Sequence, residues 1–440
     1  MQLRNFILEN KKTNIIFVIF FFSHIYLWDL QNIIEAFGVR SFHFDFLRYL
    51  LLFFSINFFI KKKIIDGNFL ILLIIIISQI VINYFFYQQV LDLREFGSII
   101  FFLLLYLLVK SEKNRIIYYL KNFFEIFIVI NLLGILFFFV IGKMQFGLAC
   151  NFFLIDSIIY HENSHFAMMS SCIIVYYLYA EKNLRNNIYF TLIIFASILY
   201  LSLTILAGLF ISMILCFFIN LQQNNKKNIQ VTIILISILA IYFLKDNCTD
   251  RLNYLIKKTD SDLKVFQNLD LDVKSDTTNE IVKESYRKLL PYRNLSSQVY
   301  NIALHNTFYT IENRPLGWGF NSYHRLFDHN INNILKKYYS YEYEINIKKN
   351  DNYEMISLNK NDARSVLMKL INEFGIFSIF FLVVGIRFLL NKSLNLKLKV
   401  TISTLLITQL ISGAGYFNGG FAIFMFLMII LSNDKEKINF

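Results

Sequence analysis

The chain has 440 residues, 56% of them hydrophobic and only 17% charged, with 49 Phe and 2 Pro. No soluble globular domain carries that excess of apolar side chains, so the composition specifies an integral membrane protein. The apolar residues fall into blocks of about 15 to 25, the length an α-helix needs to cross roughly 30 Å of hydrocarbon. That excludes a β-barrel, whose strands would alternate apolar with polar. The net charge of +12 sits in short clusters between these blocks rather than on a soluble module, so nucleic acid is excluded as a partner.

In chain order, the blocks predict an all-α polytopic membrane protein of about twelve transmembrane helices: 14–29, 45–60, 69–87, 97–109, 120–141, 164–180, 187–202, 204–220, 229–244, 365–390, 399–413 and 417–432. The seventh and eighth are separated at "SLTILAG", because 34 residues are too many for one crossing. The first block lacks a small-residue cleavage site and reads as a retained anchor. Lys and Arg clusters at the N-terminus, 61–63, 110–115, 181–185, 224–228 and 392–399 all fall on one side, which is then the cytoplasm. The opposite short loops hold isolated cations, Arg40, Arg94 and Lys143, so both termini are expected to be cytoplasmic. Four Cys (150, 172, 216 and 248) show neither metal-ligand nor disulfide spacing.

Residues 245–364 break the pattern, separating spans one to nine (1–244) from spans ten to twelve and a cytoplasmic tail (365–440). By parity this polar segment is one large extracytoplasmic loop. "EIVKESYRKLLPYRNLSSQVYNIALHNTFYTI" carries apolar residues at helical spacing, interrupted by Pro291, and predicts short helices capping the membrane domain. The Tyr-rich stretch near 335–357 reads either as a sugar-contacting lid or as a solvated loop.

A loop of this size argues for chemistry at the outer membrane surface rather than a pure conduit. A lipid flippase or transporter should line its spans with ionisable residues, whereas these spans read as almost free of charge and the cations gather at their outer ends. Outer-end Arg residues suit a pyrophosphate, because a planar guanidinium makes bidentate, permanently charged contacts to phosphate oxygens.

Three segments then resemble the O-antigen polymerase and O-antigen ligase superfamily of bacterial membrane glycosyltransferases. They are "YHENSHFAMMSS" (160–171) entering a middle span, the Pro-x-Gly-x-Gly turn in "NRPLGWGFNSY" (313–323), and "DARSVLMKLINEFGIFSIFF" with its Glu-x-Gly at Glu373 and Gly375. The resemblance implies a GT-C-like fold in the bacterial inner membrane, the large loop periplasmic. It implies metal-independent transfer, without a cofactor, from a polyprenyl-pyrophosphate-linked oligosaccharide, with membrane lipid and a chain-length regulator protein as partners. The polymerase is preferred, because the ligase's usual His-Asn at the loop-exit helix is here Arg364 and Ser365, and the Lys, Asn, Ile and Phe-laden composition suits the more divergent polymerases. The ligase and the flippase stay open as alternatives.

Inverting displacement needs a base near the acceptor hydroxyl and positive charge near the leaving pyrophosphate. Arg364, nine residues before Glu373, cannot be the base, because its pKa stays above 12; it is expected to hold pyrophosphate at a helix N-terminus. Glu162, His165 and His305 are the candidate bases; Glu162 and His165 share a face if their helix starts early. Arg287, Arg293 and Arg94 are candidate phosphate contacts, Arg314 a sugar contact or structural residue, and Gly317 and Gly319 serve the turn. Glu95, like Arg94, reads as a phosphate-side or anchoring residue. His305 with Asn306 is a second His-Asn pair, but lies before the glycine turn; His324 and His329 are equally ambiguous. Asp260, Asp262, Asp270 and Asp272 read as a solvated surface, and no metal site is expected.

Overall fold

A computed structural model describes residues 65–140, 163–181, 183–199, 208, 210, 211, 214, 295–338, 360–413, 415–417 and 420–434. The first, second and ninth expected spans, most of the eighth, the loop's first half, the Tyr-rich stretch, Glu162, Arg287 and Arg293 lie outside the described residues. Among the described residues there are helices and no strand: α1 Gly67–Tyr87, α2 Leu93–Val140, α3 Asn163–Leu178, α4 Leu184–Leu199, α5 Leu295–Asn313, α6 Tyr323–Tyr338, α7 Val366–Phe374, a 3-10 turn Gly375–Ser378, α8 Ile379–Leu390, α9 Leu396–Ser412 and α10 Phe421–Ser432.

Two segments, Gly67–Tyr87 and Val366–Leu390, are long and apolar enough to cross a membrane. Helix α1 shows why such a segment is at home in lipid. Leu70, Ile74, Ile77 and Val81 recur at helical spacing and remain exposed, while Phe69, Leu72, Ile75, Ile76, Gln79 and Asn83 are buried. Asp66 caps α1 by accepting from the Phe69 N–H at 2.9 Å. The main core joins α1, α2, α3, α9 and α10. Within it, the Phe102 ring packs on Phe426 at 4.7 Å and on Phe320 at 4.6 Å.

Two expected spans differ from the structure. The blocks 97–109 and 120–141 are not joined by a loop: residues 110–115 are helical, and Leu93–Val140 runs without a non-helical residue over 48 residues. Charge marks where a helix leaves an apolar layer, not where it ends. Lys, Glu and Arg are good helix formers, Glu112 and Arg115 pair one turn apart at 3.0 Å, and no Gly or Pro stands between Gly97 and Gly134.

The tenth span is also not one continuous helix, since it breaks at Gly375 (φ 53, ψ −133). A break inside an apolar span frees backbone groups that lipid cannot satisfy. Here the Pro315–Gly319 turn satisfies them. The Trp318 N–H donates to the Asn372 carbonyl, the Gly319 N–H to that of Glu373, and the Ile376 N–H to that of Pro315, at 3.0, 3.0 and 2.8 Å. The Gln79 amide adds a 2.7 Å bond to the Glu373 carbonyl.

The helices of the large loop have a small core of their own. Ile302 and Ala303 of α5, Trp318, and Tyr323, Leu326, Phe327, Ile331 and Ile334 of α6 pack together and onto Ala363 and Met368 at the start of the tenth span. The molecule thus has two functional ends. A basic end gathers Asp66, Lys110, Lys113, Ser393 and Asp434, and a loop end is built from the 88–92 turn, the glycine turn and the 360–365 turn.

Candidate functional site

The site grows from the interlock of the glycine turn with the Glu-x-Gly helix. Gly317 (φ 86) and Gly375 (φ 53) hold backbone conformations that L side chains rarely adopt. A Cβ on Gly317 would overlap the Glu373 carbonyl, and one on Gly375 would overlap that of Pro315. Two motifs more than fifty residues apart are therefore pressed backbone to backbone, and the next residue, Phe320, is driven into the membrane core.

Glu373, fully buried, ties this interlock to the loop helices. Its carboxylate accepts from the Asn321 N–H at 2.8 Å and the Tyr323 N–H at 3.1 Å, closing the N-terminus of α6. Lys369, one turn earlier and 2% exposed, donates to the Asn361 carbonyl at 2.6 Å and to Asn321 Oδ1 at 3.3 Å, and pairs with Asp362 at 3.3 Å. Its ammonium also lies 5.0 Å over the Tyr416 ring. The tenth span is thus not free of charge as its hydropathy suggested; it holds a Lys and a Glu that fix the 360–365 turn and α6. Both are engaged within the protein.

The 360–365 turn carries Arg364. Ala363 and Arg364 have φ of 56 and 55, a left-handed pair that sets Arg364 immediately before the N-cap of α7. Ser365 is that cap, accepting from the Met368 N–H and donating to the Leu410 carbonyl at 2.6 Å. Arg94, at the start of α2, reaches the same turn through a 3.0 Å bond from Nη1 to Asn361 Oδ1.

Arg314 stands on the other side of the glycine turn. Its guanidinium carbon lies 4.2 Å from the Tyr87 ring centroid and 3.6 Å from that of Trp318, and Nη1 donates to Gln89 Oε1 at 2.9 Å. Burial pulls its pKa below the usual arginine value, yet far from any titration near neutrality. Neither Arg94 nor Arg314 has a carboxylate partner among the described residues.

Arg325, by contrast, is compensated, bonding to Glu95 Oε2 at 2.8 Å, Asp92 Oδ2 at 3.3 Å and the Val90 carbonyl at 2.8 Å. Burial pushes Glu95 up to about 7, with Arg325 opposing and Asp92 reinforcing the shift. For Asp92, burial acts upward but is outweighed by its bond to the Glu95 N–H and by Arg325 and His324, so its pKa falls. Burial, and then Arg94, lower that of His324, 3.4 Å from Asp92. Asp92, Glu95 and His324 offer oxygen and nitrogen atoms within 4.8 Å of one another, but the Arg325 guanidinium already fills the cation role there.

The remaining sequence candidates fall elsewhere. His305 is half-buried on α5, and its neighbour Asn306 is structural, donating to Tyr323 Oη at 3.2 Å and accepting from Asn330 at 3.1 Å. His165 is placed only as a position in the first turn of α3. Gly319 (φ 101) faces the Asn83 amide. His329 meets Tyr309 Oη at 3.3 Å on an exposed face. The structure therefore puts Arg94 against the 360–365 turn that carries Arg364, and Arg314 beside the turn of Gly317 and Gly319, and it adds Lys369, Asn321, Arg325, Gln79 and Asn83, which sequence reasoning missed. Gln79 and Asn83 carried a readable signal: two amides one helical turn apart in an apolar run.

No family model, curated protein or solved structure matches this chain.

Proposed function

We propose that this chain is a metal-independent glycosyltransferase of the bacterial inner membrane. It polymerises an O-antigen or related surface polysaccharide from repeat units carried on polyprenyl pyrophosphate. The Lys and Arg clusters at the basic end favour the cytoplasm for that end and the periplasm for the loop end. Arg364, Arg94 and Arg314 bind the donor pyrophosphate, taking the role a divalent ion fills in other transferases. Transfer is a single displacement in which the acceptor oxygen attacks the anomeric carbon and the pyrophosphate leaves with the bonding electrons.

The observation that carries this reading is the loop end's pair of arginines whose partners are neutral amides and rings, set around a glycine turn locked to the Glu-x-Gly helix. Such arginines keep their full charge for an incoming anion. The test is polymer formation by membranes containing the protein, supplied with lipid-linked repeat units extracted from cells that lack it. Arg364→Ala abolishes the ladder of chain lengths without loss of membrane-inserted protein, and Arg364→Lys restores little of it, since an ammonium cannot make the two-pronged contact. Near-normal polymer from Arg364→Ala would leave Arg364 as an interfacial anchor. In cells, deletion leaves single repeat units on the lipid A-core, and complete loss of repeat units would favour the ligase or flippase.

A further inference from the structure

Beside the arginines, a cleft of about 330 Å³, counted with its open mouth, runs between α1, the 88–92 turn, the start of α2 and the glycine turn. Its enclosed space is about 20 Å³, room for one group the size of a water or a hydroxyl. Its walls carry three buried oxygens with no hydrogen-bond partner, Gln79 Oε1, Asn83 Oδ1 and Glu95 Oε1, together with an unpartnered N–H at Trp318 Nε1. Gln79 cannot turn its amide round without breaking the bond from its Nε2 to the Glu373 carbonyl. A buried polar group left unpaired is costly, because it has given up its bonds to water without replacement.

Three acceptors and one donor around a hydroxyl-sized space call for a ligand that brings O–H groups. A cation is a poor fit, because Arg325, bonded to Glu95 Oε2, already lines the same cleft. Water would satisfy these atoms in the resting protein, and a polyhydroxylated ligand would displace it.

We infer that this cleft is the acceptor-sugar subsite of the proposed transferase and that Glu95 is its general base. The inference rests on the glycosyl-transfer reading. The acceptor hydroxyl enters between Gln79, Asn83 and Glu95, and Glu95 Oε1 takes its proton as the oxygen bonds to the donor's anomeric carbon. The bond from that carbon to the pyrophosphate oxygen breaks, the electron pair leaves with the pyrophosphate, and the proton on Glu95 passes to solvent through the cleft mouth. Arg94 and Glu95 are adjacent at the start of α2 and face different partners, Arg94 the turn that carries Arg364 and Glu95 the cleft. One helix end thereby addresses both the leaving group and the nucleophile. Arg325 orients the carboxylate by holding Oε2, which leaves Oε1 for the hydroxyl.

The charged and titratable groups around Glu95 are Arg325, Asp92, Glu373 and, through Asp92, His324. A base with a pKa near 7 is ionised above it, so acceptor turnover by the wild type rises with pH through about 7.

The experiment measures initial polymerisation rates from pH 5.5 to 8.5, on the full-length protein in membranes with extracted lipid-linked repeat units. Glu95→Gln lowers turnover at least about a hundredfold, within the range of general-base contributions, and abolishes the rise through neutrality while retaining binding of the lipid-linked donor. Glu95→Asp keeps a carboxylate and part of the rate. Should Glu95→Gln fail to accumulate, Asn83→Leu serves instead: it leaves the Arg325 pair intact, and raises KM for acceptor while slow hydrolysis of the donor continues. A wild-type pH profile and rate from Glu95→Gln, or an unchanged acceptor KM from Asn83→Leu, would overturn the inference and leave the transferase reading standing. A wild-type protein that makes no polymer from these repeat units would overturn that reading and this inference with it.

Discussion

Two arginines of the loop end are held differently from the paired cations of the basic end, although Arg325 and Lys369 of the loop end also meet carboxylates. At the basic end, cations meet carboxylates: Lys110 with Asp66 at 2.8 Å, Lys113 with Asp434, Arg115 with Glu112 at 3.0 Å, and Arg185 with Glu125 at 2.6 Å. At the loop end, Arg94 and Arg314 meet amide oxygens and aromatic faces. Compensated charge fixes helix ends without attracting anions, and uncompensated charge in a partly desolvated setting is a standing attraction for phosphate. The comparison teaches that counting Lys and Arg says only where charge lies along the chain, whereas the partners of each cation say whether its charge is already matched by a carboxylate.

The largest way to break the contrast is to unlock the loop end. Gly375→Val places a β-branched residue at φ 53 and drives its side chain into the Pro315 carbonyl. Positive φ alone costs about 1–3 kcal/mol, and the overlap separates the glycine turn from the span, so folded protein recovered in detergent should fall severely. Gly97→Val is the comparison, since a Cβ there meets open space, and it should accumulate at close to the wild-type level as read by size-exclusion chromatography. Equal yields from the two would dissolve the interlock on which the site is built.

An intermediate effect is expected at Arg314. Arg314→Gln removes the charge from between Tyr87 and Trp318, and should lower polymer formation by at least about tenfold, the worth of one charged hydrogen bond of about 1.5–3 kcal/mol. Arg314→Lys should recover little of the loss, because a point charge neither stacks on two rings nor forks. Donor affinity measured for each variant checks whether the loss lies in pyrophosphate binding. If charge at this position makes no difference, the neutral surroundings of Arg314 serve packing alone.

The smallest effect belongs to the basic end. Lys110→Ala breaks a pair whose side chains are 29% and 26% exposed, worth about 0–1 kcal/mol after solvent screening. Thermal stability in detergent should shift by a few degrees at most and polymer length not at all. A loss comparable to that of Arg314→Gln would erase the distinction between the two ends.

What could be read without coordinates follows from how local each signal is. Gly317 and Gly319 stood out because a Pro-x-Gly-x-Gly run announces backbone conformations only glycine adopts easily, and Arg94, Arg314 and Arg364 stood out as charges bordering apolar blocks. Gln79 and Asn83 are legible only as two amides one helical turn apart, since they barely lower the hydropathy of "ILLIIIISQIVINYFFY". The break at Gly375 was equally silent, because the span stays apolar on both sides and hydropathy does not register hydrogen bonding. Residues 110–115 mislead in the other direction, since their charge reads as a loop while their helix propensity keeps α2 helical through them.

The sequence by itself determined that the chain carries segments long and apolar enough to cross a membrane, that it is helical, and which of its ends carries the basic clusters. These are sums over single residues, since transfer free energy and helix propensity need no partner. The tertiary structure decided which residues make the site. Gly317 lies against Glu373, Gln79 against the same carbonyl and Glu95 against Arg325, across separations of 56, 294 and 230 residues. A hydrogen bond is a property of two atoms at one distance, and only the packed chain specifies which two atoms those are.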